Sequence, residues 1–290
     1  SVLVVDSESV PSAAREVIAD IKNVTNKPVK YLVITHSHGD HFQGADAYVK
    51  EWPGVEVISS SATRESIEQR GIPRMKAEIL ELPARIEKLR IALDHAGSEV
   101  EKQRIQDTLS EAEAYYSELQ KVSIVLPPVT VDESMTIHSK SRTVRIFWAG
   151  KAHTDGDLFV YVPDAKVIAT GDALHAGPLT LTDASPSDWV RTLDTVERLD
   201  FDLVIGGHGE VIHGKETFEI WKQYLTELMT DVAEAIGKGE SLDDTKKTLG
   251  PILMEKYNSR FSSIPTPFSH AVNLNIDKAY RVAAGPLMQQ

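Results

Sequence analysis

The sequence has 290 residues, 41% of them apolar and 26% charged, the make-up of a folded globular chain long enough for one large core or two smaller ones. Its formal net charge of −12 argues against nucleic acid and anionic membrane surfaces as partners, and no apolar stretch is long enough to span a bilayer. Cysteine is absent, which excludes disulfides, thiolate metal ligands and cysteine nucleophiles, so any metal must be held by His, Asp or Glu.

The chain opens on the apolar run Val2-Leu3-Val4-Val5 without a start methionine, which reads as a first buried strand behind a processed or trimmed N-terminus. A helix is expected over 11–22, with Pro11 in its first turn. Further runs rich in β-branched residues at 31–35, 55–58, 144–148, 158–162, 166–170 and 203–205 are expected as strands. Their continuous apolar character predicts strands covered on both faces, and their alternation with helical segments predicts an α/β class.

Residues 74–122 differ in kind. Ile86, Leu89 and Leu93, then Ile105, Leu109, Ala112, Tyr116 and Leu119, recur at helical spacing, with Gly97 between the two sets. This predicts an inserted helical hairpin with a solvated charged face, or else a lid or an arm for a homo-oligomer. Pro127-Pro128 closes the insertion. A long amphipathic helix is expected over 215–236, with Phe218, Trp221, Leu225, Leu228, Val232 and Ile236 on one stripe and Gly237 and Gly239 at its end. The remainder reads as an irregular helical extension over 237–290, broken by Pro265, Pro267 and Pro286, so that 1–236 forms the main domain.

The informative segment is Thr35-His36-Ser37-His38-Gly39-Asp40-His41, directly after an apolar strand. On an extended backbone, residues two apart point the same way, so His36 and His38 can clasp one ion. Gly39 is expected to turn the chain so that Asp40 and His41 reach a second position, with a helix following from about Ala45. Three later strands end in the same manner: Phe147-Trp148 leads to His153, Val167–Thr170 to Gly171-Asp172, and Leu203–Ile205 to Gly206-Gly207-His208. Ligands carried at the ends of rigid strands form a preorganised site.

With these residues in place, the chain resembles the metallo-β-lactamase-fold superfamily of dinuclear metal hydrolases over about residues 1–235. The H-x-H-x-D-H signature stands as His36, His38, Asp40 and His41, and the later ligand positions as His153, Asp172 and His208. The resemblance implies a four-layer αββα sandwich with two Zn2+ ions, iron or manganese being the alternatives. It implies that His36, His38 and His153 hold the first metal, Asp40, His41 and His208 the second, and that Asp172 bridges. The subclass with a cysteine ligand is excluded, and Asp172 resembles instead the bridging residue of the glyoxalase II, lactonase and phosphodiesterase branches. Family members usually carry strands before the first one here. The stretch Gly150-Lys151-Ala152-His153-Thr154-Asp155-Gly156-Asp157 resembles a subgroup of secreted hydrolases, which implies a periplasmic or secreted setting over a cytoplasmic one.

Two cations held close together lower the pKa of a shared water towards neutrality and make it a nucleophile. The expected function is therefore hydrolysis of a small acyl substrate, a β-lactam, lactone or thioester, with Asp40 as the catalytic residue that orients the water. The alternatives are an iron-dependent oxygenase of sulfur compounds and a non-catalytic metal- or ligand-binding module. His175, three residues past Asp172, is expected on an overhanging loop within reach of substrate. Asp155 and Asp157 are expected to hydrogen-bond ligand imidazoles, and Asp155 equally to cap the turn. His95, His138, His213 and His270 carry no such pattern.

Overall fold

Each of the apolar runs ends up in a sheet strand. The computed structural model describes residues 1–140, 142–261 and 268–285. The chain divides into two units, the first built from 1–59 and 64–130, the second from 60–63 and from 131 onward.

In the first unit the order is β1 (Val2–Val5), α1 (Pro11–Val24), β2 (Val29–Val33), α2 (Gly39–Phe42), α3 (Ala45–Glu51) and β3 (Glu56–Ser59). Helix α4 (Ser61–Ser66) straddles the boundary, and a π-helical turn (Ile67–Gly71) leads into α5 (Ile72–Asp94), α6 (Glu99–Leu119) and β4 (Val129–Thr130). The strands lie in the order β1-β2-β3-β4 and all pair in parallel. Parallel strands need cover on both faces, and the end of β2 meets this with Leu32, Val33 and the following Ile34, all fully buried, while Lys30 nearer its start is exposed. Ala14 and Ile18 of α1, Tyr48 of α3, Phe42 and Ile67 bury against Leu32, Ile34 and Val57. The expected hairpin is α5 and α6, packed through Met75, Leu82 and Leu119. Ser98 caps α6 by accepting from the Glu101 backbone N–H at 3.2 Å, and the Glu101 carboxylate accepts from the Gly97 N–H at 2.9 Å.

The second unit contains β5 (Ser134–His138), β6 (Thr143–Trp148), β7 (Leu158–Val162), β8 (Val167–Gly171), α7 (Pro186–Glu197), β9 (Leu203–Gly206) and β10 (Ile212–His213), followed by α8 (Glu216–Gly237), α9 (Leu242–Tyr257) and α10 (Phe268–Ala284). Its sheet runs β10-β9-β8-β7-β6-β5. Neighbours from β5 to β8 are antiparallel, β8 and β9 are parallel, and β9 and β10 are antiparallel. Strand β5 alternates between exposed and half-buried positions, so it left no continuous apolar signal. Phe218, Trp221, Leu225, Leu228 and Val232 of the α8 stripe are buried beside Trp189, Leu193 and Val196 of α7, and Ile236 is half-buried. Helices α9 and α10 pack on α8 and share the same core through Leu253, Tyr257, Ala271, Val272 and Ile276. Pro265, Pro267 and Pro286 lie outside the described residues. No helix among the described residues is long and apolar enough to cross a membrane.

Candidate metal-binding residues

The first unit builds its donors on a turn that follows β1. Asp6 and Glu8 adopt left-handed backbone conformations, φ 63° and 72°, which costs a non-glycine residue of order 1 kcal/mol each. The strain places the Asp6 carboxylate beneath the end of β2. It accepts from the Thr35 backbone N–H at 2.8 Å, from the Thr35 hydroxyl at 2.9 Å and from His41 Nδ1 at 2.8 Å. A carboxylate only accepts, so the single Thr35 hydroxyl proton is committed to Asp6. The hydroxyl oxygen must then accept from His36 Nδ1, 3.0 Å away. Assigned from this network, both His36 and His41 carry their proton on Nδ1 and keep the lone pair on Nε2, the form in which imidazole binds metal.

Backbone contacts lock the turn in place. The Ser7 N–H and hydroxyl both donate to the His41 carbonyl, at 2.9 and 3.0 Å, and the Gly44 N–H donates to the Glu8 carbonyl at 2.9 Å. A Cβ on Gly44 would stand 1.9 Å from the Ser7 carbonyl oxygen, so only glycine fits. His36 is fully buried, with its ring centroid 4.0 Å from that of His41 and 4.8 Å from that of His38. Asp40 Oδ2 stands 3.3 Å from His41 Nε2, on a side chain that is 43% exposed. Gly39 opens α2 without a positive φ, and the chain bends over 36–38, with His38 extended immediately before the helix. Ser37, between the two histidines, donates to Ser66 Oγ at 2.9 Å, and Arg70 Nε in the π-helical turn donates to the same oxygen at 3.1 Å.

In the second unit the donors are His153, Asp172 and His208. His153 and Asp172 are buried, and His208 is 41% exposed. Asp172 Oδ2 is 3.6 Å from His153 Nε2 and 3.5 Å from His208 Nε2, so one carboxylate oxygen faces two ring nitrogens. Two buried tryptophans support this loop from below. Trp189 Nε1 donates to the Ala173 carbonyl at 2.8 Å, and Trp221 Nε1 donates to the His175 carbonyl at 2.9 Å. Their rings stack 5.4 Å apart, and the Trp189 ring lies 5.6 Å from that of His153.

His175 does not overhang a surface. It is fully buried, accepts at Nδ1 from the Gly177 N–H at 3.1 Å, and lies 5.6 Å ring to ring from His208. A Cβ on Gly206 would come within 2.6 Å of the His175 Cβ, so the β9 end is glycine because it crosses this residue closely. Asp157 caps the His153 turn, accepting from the Thr154 N–H at 2.7 Å, and its burial pushes the carboxyl up from 3.8 to about 7. Asp155 pairs with Lys151 at 3.2 Å. His95, His138, His213 and His270 are exposed, and Trp148 is 39% exposed.

A family profile described as the metallo-beta-lactamase superfamily matches residues 1–208. The chain belongs to the metallo-β-lactamase superfamily. Among curated proteins it is 22% identical over 225 residues to a linear primary-alkylsulfatase from a Pseudomonas species, covering 75% of this chain and 41% of that protein. The chain therefore spans about two fifths of the length of this relative. Among solved structures, a metallo-beta-lactamase from Pontibacter korlensis is 18% identical with a TM-score of 0.53, covering 77% of this chain and 80% of the other. A stereoselective inverting sec-alkylsulfatase from a Pseudomonas species is 16% identical with a TM-score of 0.63, covering 98% of this chain and 47% of the other. These likenesses establish the fold.

The side chains of this superfamily member that make up its possible metal-binding groups are His36, His38, Asp40 and His41 in the first unit and His153, Asp172 and His208 in the second. They fit a divalent cation. The donors are imidazoles and carboxylates without a thiolate, and the tautomers of the two most buried rings of the first unit are set for ligation by Asp6. Asp6 was not singled out from the sequence. Its one signal there is an acidic residue closing an apolar strand. Trp189 was not singled out from the sequence either.

Proposed function

We propose that this chain is a metal-dependent hydrolase in which His36, His38 and His153 hold one ion, Asp40, His41 and His208 hold a second, and Asp172 serves both. The observation that carries the reading is the fixed presentation of imidazole lone pairs, since Asp6 dictates the tautomers of His36 and His41 in a way that packing alone does not require. When bound, such a pair of ions polarises the substrate and lowers the pKa of a water towards neutrality. Asp40, exposed beside His41, orients that water and takes its proton. The thiolate-free, imidazole-rich donor set favours zinc over iron or manganese.

The substrate class we propose is an alkyl sulfate ester, in place of the acyl substrates expected from the sequence. Two observations support this choice: the alkylsulfatase sequence aligns over 75% of the chain, and the alkylsulfatase structure follows 98% of it, where the lactamase follows 77%. A periplasmic or secreted setting, a small-molecule substrate and a homo-oligomer formed through the α5–α6 hairpin belong to the same proposal. The test is turnover by the zinc-loaded chain of dodecyl sulfate, a chromogenic β-lactam, a lactone and a thioester, each with an EDTA-treated control. Sulfate release that EDTA abolishes is the expected result. Turnover of an acyl reporter alone would return the substrate to the acyl class, and no turnover with stoichiometric zinc bound would overturn the hydrolase reading.

A further inference from the structure

Residues 176–184 join two parts of the second unit's donor set. At one end the His175 carbonyl accepts from Trp221 Nε1 at 2.9 Å, three residues past Asp172. At the other the Ser185 N–H donates to the Ala152 carbonyl at 3.1 Å, next to His153, and the Ser185 hydroxyl donates to Asp155 at 3.4 Å. The loop therefore forms a rim running from the Asp172 side to the His153 side. Its middle is held from more than 90 residues further along the chain. Asn275 of α10 accepts from the Leu181 N–H at 2.8 Å and donates from Nδ2 to the Leu179 carbonyl and to the Tyr224 hydroxyl, both at 2.9 Å. Lys278, one turn on, donates to the Thr182 carbonyl at 3.1 Å.

Asn275 is fully buried among Ala271, Val272, Ile276 and Ala279, where a leucine would serve the helix better. Its acceptor and both donor protons are all used, and two of the three bonds go to the rim. A buried amide spent in this way specifies a loop conformation more than it stabilises a core.

We propose that Asn275 is a positioning residue: α10 latches the 176–184 rim, and the latch governs access to His153, Asp172 and His208. The kinetic part of this proposal rests on the hydrolase reading above; the latch itself does not. The test uses the zinc-loaded full chain, with Asn275→Leu and the gentler, solvent-accessible Lys278→Met. Amide exchange is read at Leu181 and across 180–184, zinc extraction by EDTA is timed, and KM and kcat are measured on dodecyl sulfate.

In Asn275→Leu the Leu181 amide should exchange about tenfold faster, equivalent to about 1.4 kcal/mol, while β7 amides keep their protection. Zinc extraction should accelerate and KM rise several-fold, roughly, with kcat held within about twofold. Unchanged exchange at Leu181, or faster exchange with extraction and KM both unchanged, overturns the proposal. Should Asn275→Leu fail to fold, Lys278→Met decides: faster exchange over 180–184 with faster extraction supports the latch, and no change in either refutes it. If the wild type turns over no dodecyl sulfate, the hydrolase reading falls, while exchange and extraction still settle the latch.

Discussion

In the first unit, four of the candidate donors sit on one short segment, and a single carboxylate beneath that segment fixes two of its rings. In the second, each donor leaves a different strand end, and the loop after Asp172 rests on two stacked tryptophans from α7 and α8. The first arrangement is held by charge-assisted hydrogen bonds and the second by buried aromatic surface. Donors that are adjacent in sequence need only their orientation fixed, so one acceptor suffices. Donors brought together from separate strands need a rigid floor, and a rigid floor comes from packing.

The comparison breaks most visibly if the floor is removed. Trp221 is fully buried, and its ring contacts Trp189, Tyr224 and Phe261 as well as bonding the His175 carbonyl. Trp221→Ala should cost about 3–5 kcal/mol, from the cavity and from an orphaned carbonyl. Thermal denaturation should show a large fall in Tm. A change of a degree or two would mean the second unit does not depend on this packing.

The His153 turn offers a test of burial acting against charge. Burial raises the Asp157 carboxyl to about 7, above its ordinary 3.8, although the Thr154 N–H opposes the shift. Between those values the folded chain keeps a proton that the unfolded chain has released, so this group makes the metal-free protein less stable as pH rises from about 4 towards 7. The difference is on the order of a few kcal/mol. Asp157→Asn should flatten that part of the curve. Equal pH slopes for variant and wild type in chemical denaturation would remove Asp157 as the cause.

Removing the carboxylate of the first unit should leave the fold and weaken metal binding instead. Asp6→Asn keeps an oxygen for the Thr35 N–H but loses the charge that aligns His41 and, through Thr35, His36. Second-layer partners of this type are worth about 10–100-fold in metal affinity. Chelator competition should show that loss with little change in Tm. An unaltered affinity would show that the two rings orient themselves.

What the sequence disclosed follows the same division. The 36–41 segment was legible because its residues are neighbours and follow a buried strand, and Asp172 and His208 because apolar runs stop at glycines just before them. The supports were not legible. Asp6 lies 35 positions from His41, and Trp221 lies 46 from the carbonyl it holds. No local periodicity records either pairing. Strand β5 escaped notice because only one of its faces is covered, and α9 and α10 gave no sign that they share the core of α8.

The smallest effect belongs to the α5–α6 hairpin. Ser98 caps α6 through the Glu101 N–H, and Glu101 answers through the Gly97 N–H, a reciprocal pair that satisfies two otherwise unpartnered donors. Ser98→Ala removes half of this exchange and should cost about 1 kcal/mol. The hairpin core at Met75, Leu82 and Leu119 is untouched by the change, and so is the Asp6 network. Calorimetry should therefore record a small fall in Tm while zinc affinity stays at the wild-type value. If zinc affinity falls with it, the hairpin is coupled to the 36–41 segment through α5 and the π-helical turn, where Arg70 and Ser37 share Ser66. The first unit would then be anchored by packing as well as by Asp6, and its contrast with the second would narrow.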